Sequence, residues 1–229
     1  CLDNLVRNAN EEQKARYLPR FCDGSAIGAL GMTEPGAGSD ALGSMATTAR
    51  RDGDAYVLDG RKLFITNGPV ADVLLVYAKT APEKKQHGIS AFIVEKTFPG
   101  FRVAQHLDKM GWRGSPTGEL VFDQLRVPAA NLVGAENAGV GIMMSGLDLE
   151  RVIGAFYGLG LAQRALDLSV EYATVRRQFG RPIGDFQLVQ GMLADMYTDV
   201  ETIRALTYQV GREVTNLPPG AGGRGTVHL

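Results

Sequence analysis

The stretch from Asn137 to Phe179 contains no proline, and this feature constrains the fold of the chain more than any other. Proline breaks the interior of a helix, so its absence over this length predicts one long helix. The stretch nevertheless carries glycines, which lower helix propensity. We therefore expect a neighbouring helix or a ligand to come close at these positions, which are Gly139, Gly141, Gly146, Gly154, Gly158 and Gly160.

A second long helix is predicted after the loop at 180–184. Apolar residues recur there at spacings of three and four, which places them on one helix face. They are Phe186, Val189, Leu193, Met196, Val200, Ile203, Leu206 and Val210. Two long helices joined by a short loop form an antiparallel pair. Near the start of the chain, Asn10 is expected to cap a short helix that ends before Pro19.

The region between about residues 22 and 135 has a different pattern. Short segments rich in Val, Ile, Phe and Tyr alternate with turn signals such as Asp59-Gly60 and Asn67-Gly68-Pro69. No helical pattern separates these segments, so we expect a mainly antiparallel sheet and not a Rossmann domain. The segments are 56–66, 71–80, 88–96 and 118–128.

Together these patterns predict an α+β chain, with an antiparallel β-barrel or sandwich followed by long antiparallel helices of an incomplete four-helix bundle. We assign residues 1–21 to the tail of an N-terminal helical domain and 22–135 to a middle β-domain. Residues 136–216 form a partial C-terminal helical domain, and 217–229 form a terminal loop. The chain begins with Cys and has no obvious end, so we expect a fragment of a longer protein.

Composition and scattered polar residues exclude several function classes. The net charge of -1 gives no reason to expect a nucleic acid or an anionic membrane as partner. No apolar run approaches the roughly 18 residues that span a bilayer. Cys1 and Cys22 form no CxxC pair, which favours a reducing compartment. His87, His106 and His228 are far apart in sequence, so no metal site is predicted, and P-loop and GxSxG motifs are absent.

The stretch GMTEPGAGSDALG, at 31–43, is the most distinctive short motif. Its glycines would let backbone N–H groups come close to an anion, and Thr33 and Ser39 add hydroxyl donors. On these residues alone, a structural turn is favoured over a ligand site.

This stretch resembles the signature of the acyl-CoA dehydrogenase family, and three further motifs extend the resemblance. They are FITNG at 64–68, LDKMGWRG at 107–114 and RQFG at 177–180, with Gln187 downstream. The resemblance covers almost the whole chain apart from its last residues. It implies the middle β-domain and two C-terminal helices of a flavoenzyme that binds FAD, desaturates acyl-CoA thioesters and passes electrons to an electron-transferring flavoprotein.

The resemblance also implies contacts with the cofactor. One segment would lie along FAD through Leu30, Gly31, Met32, Thr33, Gly38 and Ser39, and Ser39 would also touch the CoA part of the substrate. The other side of the flavin would be formed by Phe64, Ile65 and Thr66. Without the resemblance, Phe64 and Ile65 would be interpreted as core residues.

A third group resembles residues that bind the FAD of a neighbouring subunit. It consists of Arg176, Phe179 and Gln187, which would otherwise be interpreted as an exposed helix end. The resemblance thus implies a homo-oligomer, either a tetramer or a dimer.

Glu150 lies in the setting LDLER at 147–151, which resembles the isovaleryl-CoA dehydrogenase-like branch of the family. The resemblance implies that Glu150 is the catalytic base, with Asp148 and Arg151 at the substrate. Small and apolar neighbours predict that Glu150 lies on a buried face. The alternative is a surface carboxylate paired with Arg151. The segment 152–157 departs from this branch, so a short branched acyl group is expected while chain length and branching stay open.

Two other functions remain open. The first is an acyl-CoA oxidase, which would pass electrons to oxygen. The second is a catalytically silent fragment that serves as an interaction module. An enzyme of fatty acid or leucine catabolism is expected in the cytoplasm of a bacterium or in the mitochondrial matrix of a eukaryote.

Overall fold

The computed structural model describes residues 2–216, with the backbone alone at Asp148. The predicted loop at 217–229, together with Cys1 and His228, lies outside the described residues. Contacts between residues divide the chain into two compact units, between Gly146 and Leu147. The predicted domain boundaries after residues 21 and 135 stay predictions.

The first unit opens with two short helices, α1 (Leu2–Asn8) and α2 (Glu11–Cys22). The side chain of Asn10 accepts a hydrogen bond from the backbone N–H of Gln13, and the Gln13 side chain accepts one from the backbone N–H of Asn10. This capping box confirms the predicted helix start. The predicted end was wrong, because α2 continues through Pro19. Pro19 is tolerated because the carbonyl that loses its donor belongs to Ala15, which is exposed to solvent.

Eight strands of the first unit form one sheet. They are β1 (Gly28–Gly31), β2 (Thr48–Asp52), β3 (Ala55–Thr66), β4 (Val73–Lys79), β5 (Ile89–Glu95), β6 (Phe101–His106), β7 (Thr117–Pro128) and β8 (Leu132–Val133), with a short helix α3 (Ala41–Ser44) between β1 and β2. Their order is β6-β7-β3-β2-β4-β5-β8, and β1 lies beside β4. Pairing is antiparallel except between β1 and β4 and at one bridge between β2 and β4. The predicted mainly antiparallel sheet is confirmed.

One apolar cluster joins strands from different parts of the sheet. Leu58 of β3, Leu74 of β4, Phe92 of β5 and Leu125 of β7 all belong to this cluster and are fully buried. Strands that are distant in the sheet order thus share one core. The four β-segments that the sequence predicts all form strands, whereas β1, β2, β6 and β8 were not predicted.

Asp59 and Gly60 do not form the turn that their sequence indicates, because both lie inside β3. The pairing of β3 with β7 shifts in register between Leu58 and Gly60, and Gly60 has a φ of 152°. The strand bends at this bulge. A Cβ on Gly60 would lie 2.7 Å from the Cα of Thr47, so the close approach of β2 requires glycine here.

We expect Gly60→Ala to lower the free energy of unfolding by about 3 kcal/mol, since it adds a backbone clash to an unfavourable φ. Gly53→Ala is the matched control, because Gly53 also has a positive φ of 61° but an added Cβ would meet no atom within 4 Å. The control should lose only about 1 kcal/mol. Urea unfolding measures both variants, and equal losses would contradict the account of Gly60.

The second unit contains most of α4 (Gly139–Val175), a two-stranded hairpin of β9 (Arg177–Gln178) and β10 (Arg181–Pro182), and α5 (Gln187–Thr215). The single long helix that the sequence predicts is confirmed. Leu159 and Leu166 of α4 pack with Val200 of α5, and the ring of Phe156 meets that of Tyr208 edge-on, with centroids 5.5 Å apart. These contacts run in opposite chain directions, so the predicted antiparallel pair is also confirmed.

The glycines of α4 have two different environments. A Cβ on Gly139 would lie 2.8 Å from the carbonyl oxygen of Ile89, and one on Gly146 would collide with the side chain of Asn4. The expected close neighbours are thus confirmed at these two positions. Within the described residues, no atom lies within 4 Å of a Cβ added at Gly141, Gly154, Gly158 or Gly160, so a close neighbouring helix is not found there and a ligand at these positions stays a prediction.

Candidate functional site

The GMTEPGAGSDALG motif begins at the end of β1 and continues into a tight turn. Glu34 and Ala37 exchange backbone hydrogen bonds of 3.0 and 3.1 Å, which closes the turn over Pro35 and Gly36. Gly31 is buried in β1, whereas Leu30, Met32 and Thr33 are half-buried and Gly38 and Ser39 are exposed. The motif therefore joins a fixed strand end to an open loop.

The structure brings two of the predicted cofactor segments together. The backbone N–H of Leu63 donates to the carbonyl oxygen of Thr33 at 2.8 Å, and the Nζ of Lys62 donates to the carbonyl oxygen of Met32 at 3.1 Å. The segment at 32–33 and the end of β3 therefore lie side by side. They form neighbouring parts of one surface, and the sides of the flavin that each would contact stay a prediction.

A second bulge in β3 determines which side chains this surface presents. The pairing with β7 shifts between Lys62 and Ile65, and Phe64 has a φ of 60°. The bulge turns Phe64 and Thr66 towards solvent, whereas Lys62 and Ile65 both stay buried. Ile65 belongs to the core cluster of the sheet, so it could meet a ligand only through its backbone.

Three exposed aromatic residues have a positive φ. Phe64, Trp112 and Phe179 are 63, 69 and 93% exposed, with φ values of 60, 54 and 51°. Bulky residues rarely adopt this conformation, and where it persists it is concentrated at functional sites. Each of the three lies in one of the motifs that carry the family resemblance. The sequence predicts no role for Trp112, because its position in the motif at 107–114 does not indicate its backbone conformation.

A buried ion pair lies directly beneath the motif. Lys62 is fully buried, and its Nζ lies 2.8 Å from the Oε1 of Glu34, whose side chain is 4% exposed. Burial lowers the pKa of Lys62 to about 8, against the opposing effect of the Glu34 charge. Burial also acts to raise the pKa of Glu34, but the Lys62 charge and the hydrogen bonds to the carboxylate outweigh it and lower that pKa. Both groups are therefore charged at neutral pH.

Sequence reasoning missed this pair. Glu34 lies within the motif but has no predicted role there, and Lys62 is one polar residue in an alternating strand. The bulge at 63–64 changes the alternation, so the sequence gives no reliable indication that Lys62 points inwards. The sequence offers only a lysine two residues before an aromatic residue, and this signal is too weak to assign a partner to Lys62.

Glu150 lies on α4 in the second unit and is exposed. The predicted buried face was wrong for the described residues, because the apolar seam between α4 and α5, formed by Leu159, Leu166 and Val200, does not include Glu150. Arg151 is also exposed, and the side chain of Asp148 lies outside the described residues. An apolar cavity of about 490 Å³ opens on the neighbouring face of α4, where Leu149, Val152, Ile153 and Phe156 line it opposite Tyr208.

The connection between α4 and α5 carries the third predicted group. Arg176 follows the last residue of α4, and Gln187 is the first residue of α5. Phe179 and Gly180 both have positive φ at the tip of the β9–β10 hairpin, as in a type I′ turn. All three predicted residues are exposed at this end of the helix pair.

Among residues 2–216, no cluster of three or more His, Cys, Asp or Glu side chains could hold a metal ion. Within the same range, none of the helices has the length and apolar character needed to cross a bilayer.

Comparison with known proteins now decides the family. The model described as "Acyl-CoA dehydrogenase, middle domain" matches residues 29–125, and "Acyl-CoA dehydrogenase, C-terminal domain" matches residues 137–224. The chain belongs to the acyl-CoA dehydrogenase family. This is a family of FAD-dependent oxidoreductases that act on CH–CH groups.

Individual members of the acyl-CoA dehydrogenase family are similar over almost the whole chain. The mitochondrial isovaleryl-CoA dehydrogenase of Pongo abelii is 53% identical over 214 residues, which cover 93% of this chain and 50% of that protein. The mitochondrial 2-methylacyl-CoA dehydrogenase of Solanum tuberosum is 50% identical over 216 residues, covering 94% and 52%. The chain thus spans about half the length of these curated relatives.

A solved structure shares the fold of both units. The butyryl-CoA dehydrogenase from Megasphaera elsdenii has a TM-score of 0.90 and 42% identity, and the match covers 96% of this chain and 57% of that one. The predicted fold class and family are confirmed.

Proposed function

We propose that this chain is part of an FAD-dependent dehydrogenase that places an α,β double bond in a short branched acyl-CoA such as isovaleryl-CoA. The observation that carries the proposal is the pair of hydrogen bonds that joins Met32 and Thr33 to Lys62 and Leu63. Two motifs that are distant in sequence thereby form one surface, and Phe64 is exposed beside it. Family membership and the relatives above support the same activity.

The residues of this surface fit a flavin. The carbonyl groups of Met32 and Thr33 are engaged inside the protein, which leaves their N–H groups and the Thr33 hydroxyl as the groups that would reach a polar ring edge. Phe64 and Thr66 would contact the ring system from the end of β3. Around Gly36 and Gly38 an added Cβ would meet no atom within 4 Å, so the loop leaves room for a ligand.

Glu150 would act as the base. Its carboxylate accepts the proton from the α-carbon of the thioester, while the C–H electron pair of that carbon becomes part of the new double bond. The hydride that leaves the β-carbon would pass to FAD, which would supply the acceptor when it is bound. Arg151 would lie beside the substrate, and Ser39 would contact its CoA portion. Binding of the acyl chain next to Glu150 excludes water from a carboxylate that is otherwise exposed.

The proposed binding slot for the acyl chain lies along the face of α4 that carries Glu150, Gly154 and Gly158. Gly154 and Gly158 follow Glu150 by four and eight residues, so they lie on the same side of the helix, one and two turns further. No described atom would be within 4 Å of a Cβ at either position. The slot is therefore open along the helix, and the chain length it accepts depends on what stands at Gly154.

We expect Gly154→Leu to lower kcat/KM for longer acyl-CoA substrates by about tenfold relative to shorter ones, because the new side chain fills the slot. The measurement is a panel of straight and branched acyl-CoA thioesters. Gly191→Leu on α5 is the control, since an added Cβ there also meets open space. An unchanged preference in Gly154→Leu would remove this face from the substrate site.

The partners follow from the same proposal. Arg176, Phe179 and Gln187 would bind the FAD of a neighbouring subunit, which requires a homo-oligomer. Electrons would pass to an electron-transferring flavoprotein, in the mitochondrial matrix if the source is eukaryotic or in the cytoplasm if it is bacterial. The names of the two relatives above include the word mitochondrial.

The acceptor is tested by reoxidation. The full-length protein is reduced anaerobically with isovaleryl-CoA and then mixed with either electron-transferring flavoprotein or oxygen. Fast reoxidation by the flavoprotein and slow reoxidation by oxygen are expected, and the reverse order would identify an oxidase. A colourless protein that binds no added FAD would instead support the silent interaction module.

A further inference from the structure

The buried Lys62–Glu34 pair has no part in the chemistry proposed above, yet burying two charges is costly. Such a pair is retained only where its geometry is good and where further hydrogen bonds satisfy the remaining groups. Lys62 and Glu34 meet this condition, because each also makes hydrogen bonds to backbone groups in addition to the bond with its partner.

The bonds converge on the segment between β1 and the tight turn. The Nζ of Lys62 donates to the carbonyl oxygen of Met32 as well as to Glu34. The Glu34 carboxylate also accepts the backbone N–H groups of Ala46 at 2.5 Å and Thr47 at 3.0 Å. The pair thus connects the motif to β3 on one side and to the start of β2 on the other.

The lysine stem completes the support. A Cβ on Gly31 would lie 3.5 Å from the Cγ of Lys62 and 3.2 Å from the Cγ2 of Val76, so the stem packs directly under the end of β1. With Thr33 bonded to Leu63, the carbonyl groups of Met32 and Thr33 are both held from the inner side. The outer side of the same two residues is the surface proposed to meet the flavin.

We propose that Lys62, through its hydrogen bond to the Met32 carbonyl, is a positioning residue that fixes the Met32–Thr33 backbone for contact with the flavin. This inference rests on the proposed function. Lys62 does not touch the cofactor itself; it acts by holding two peptide groups in one orientation. Interactions that hold binding groups in advance raise affinity because less order has to be imposed on binding.

The decisive variant is the double substitution Lys62→Met with Glu34→Gln. It removes both charges, so no unpaired charge stays buried, and Met keeps an apolar stem under Gly31. The Met32 carbonyl nevertheless loses its donor. We expect the Kd for FAD to rise by about tenfold or more, which corresponds to the loss of a charge-assisted hydrogen bond. We also expect the circular dichroism of the bound flavin to change.

Hydrogen exchange of the FAD-free protein provides a readout that needs no cofactor. Amides at 32–47 should exchange faster in the double variant, while those of β4 and β5 keep their protection. Glu34→Gln alone retains the Lys62 bond to Met32, so it should bind FAD more tightly than the double variant. If the double variant does not fold, the Kd of Glu34→Gln for FAD tests the positioning role instead. Lys96→Met, which breaks the partly exposed Lys96–Asp72 pair, is the control and should leave FAD binding and its spectrum unchanged.

The outcomes separate this inference from the proposed function. If the wild-type protein binds FAD and the double variant binds it with the same Kd and spectrum, the positioning role is wrong and the proposed function stands. The positioning role is also wrong if Glu34→Gln alone raises the Kd for FAD by about tenfold or more, because this variant keeps the Lys62 bond to Met32. If the wild-type protein binds no FAD, the proposed function fails, and the flavin role of Lys62 fails with it.

Discussion

Glu150→Gln is expected to slow the reduction of bound flavin by acyl-CoA by about 10³-fold, because the amide cannot accept the α-proton. FAD affinity should stay at the wild-type value, since the groups proposed to bind the cofactor lie elsewhere in the chain. The measurement is anaerobic stopped-flow reduction of the full-length protein, followed through the flavin absorbance. A fall in reduction rate with unchanged cofactor content is the signature of a lost base.

The control for this prediction is Glu171→Gln. Glu171 also lies on α4 and is also exposed, so the substitution repeats the chemical change about 30 Å further along the same helix. It should reduce flavin at the wild-type rate. Near-normal reduction in Glu150→Gln would return that residue to the alternative interpretation, a surface carboxylate beside Arg151.

Lys62→Met alone should lower the free energy of unfolding by about 3–5 kcal/mol at neutral pH. The substitution leaves Glu34 buried and ionised with no cation beside it, and it removes the donor to the Met32 carbonyl. Lys96→Met is the matched control, because it breaks an ion pair whose side chains are 50% and 23% exposed. The loss there should stay within about 1 kcal/mol, as is usual for surface pairs. Equal losses in the two variants would mean that the buried pair contributes no more to the free energy of unfolding than a partly exposed pair.

The loss in Lys62→Met should also depend on pH. The pKa of Glu34 in the folded wild-type protein is lowered from its ordinary value of 4.5, chiefly by Lys62 acting against burial. The pair therefore contributes stability that is present above about pH 4.5 and is lost as the pH falls through the folded-state pKa. In the variant, burial without the lysine raises the pKa of Glu34, so the carboxyl takes up a proton more readily. The difference in urea midpoint between the two proteins should shrink on acidification, and a constant difference would contradict this account.

Much of the fold could be predicted because its signals are local. The absence of proline between Asn137 and Phe179 and the apolar spacing along α5 predicted both long helices, and four β-rich segments predicted four strands. Strands β1 and β6 were missed because they are short or lack an alternating apolar pattern. Asp59-Gly60 misled because the same dipeptide that makes a turn also permits a bulge, and only the approach of Thr47 distinguishes the two.

The site was predictable only in part, for a different reason. Motif resemblance named residues along one chain, but it could not give their backbone conformation or their burial. The positive φ of Phe64 and the inward direction of Lys62 both arise from one bulge, which depends on pairing with β7. The exposure of Glu150 depends on which elements cover α4, and this is a property of the packed structure and not of the residues around it.

The most direct test of the central claim is anaerobic titration of the purified full-length protein with isovaleryl-CoA. The account predicts a protein that carries FAD and whose oxidised flavin absorbance is lost in proportion to the acyl-CoA added. A protein without flavin, or one whose flavin absorbance does not change with any acyl-CoA of a straight and branched panel, would contradict it.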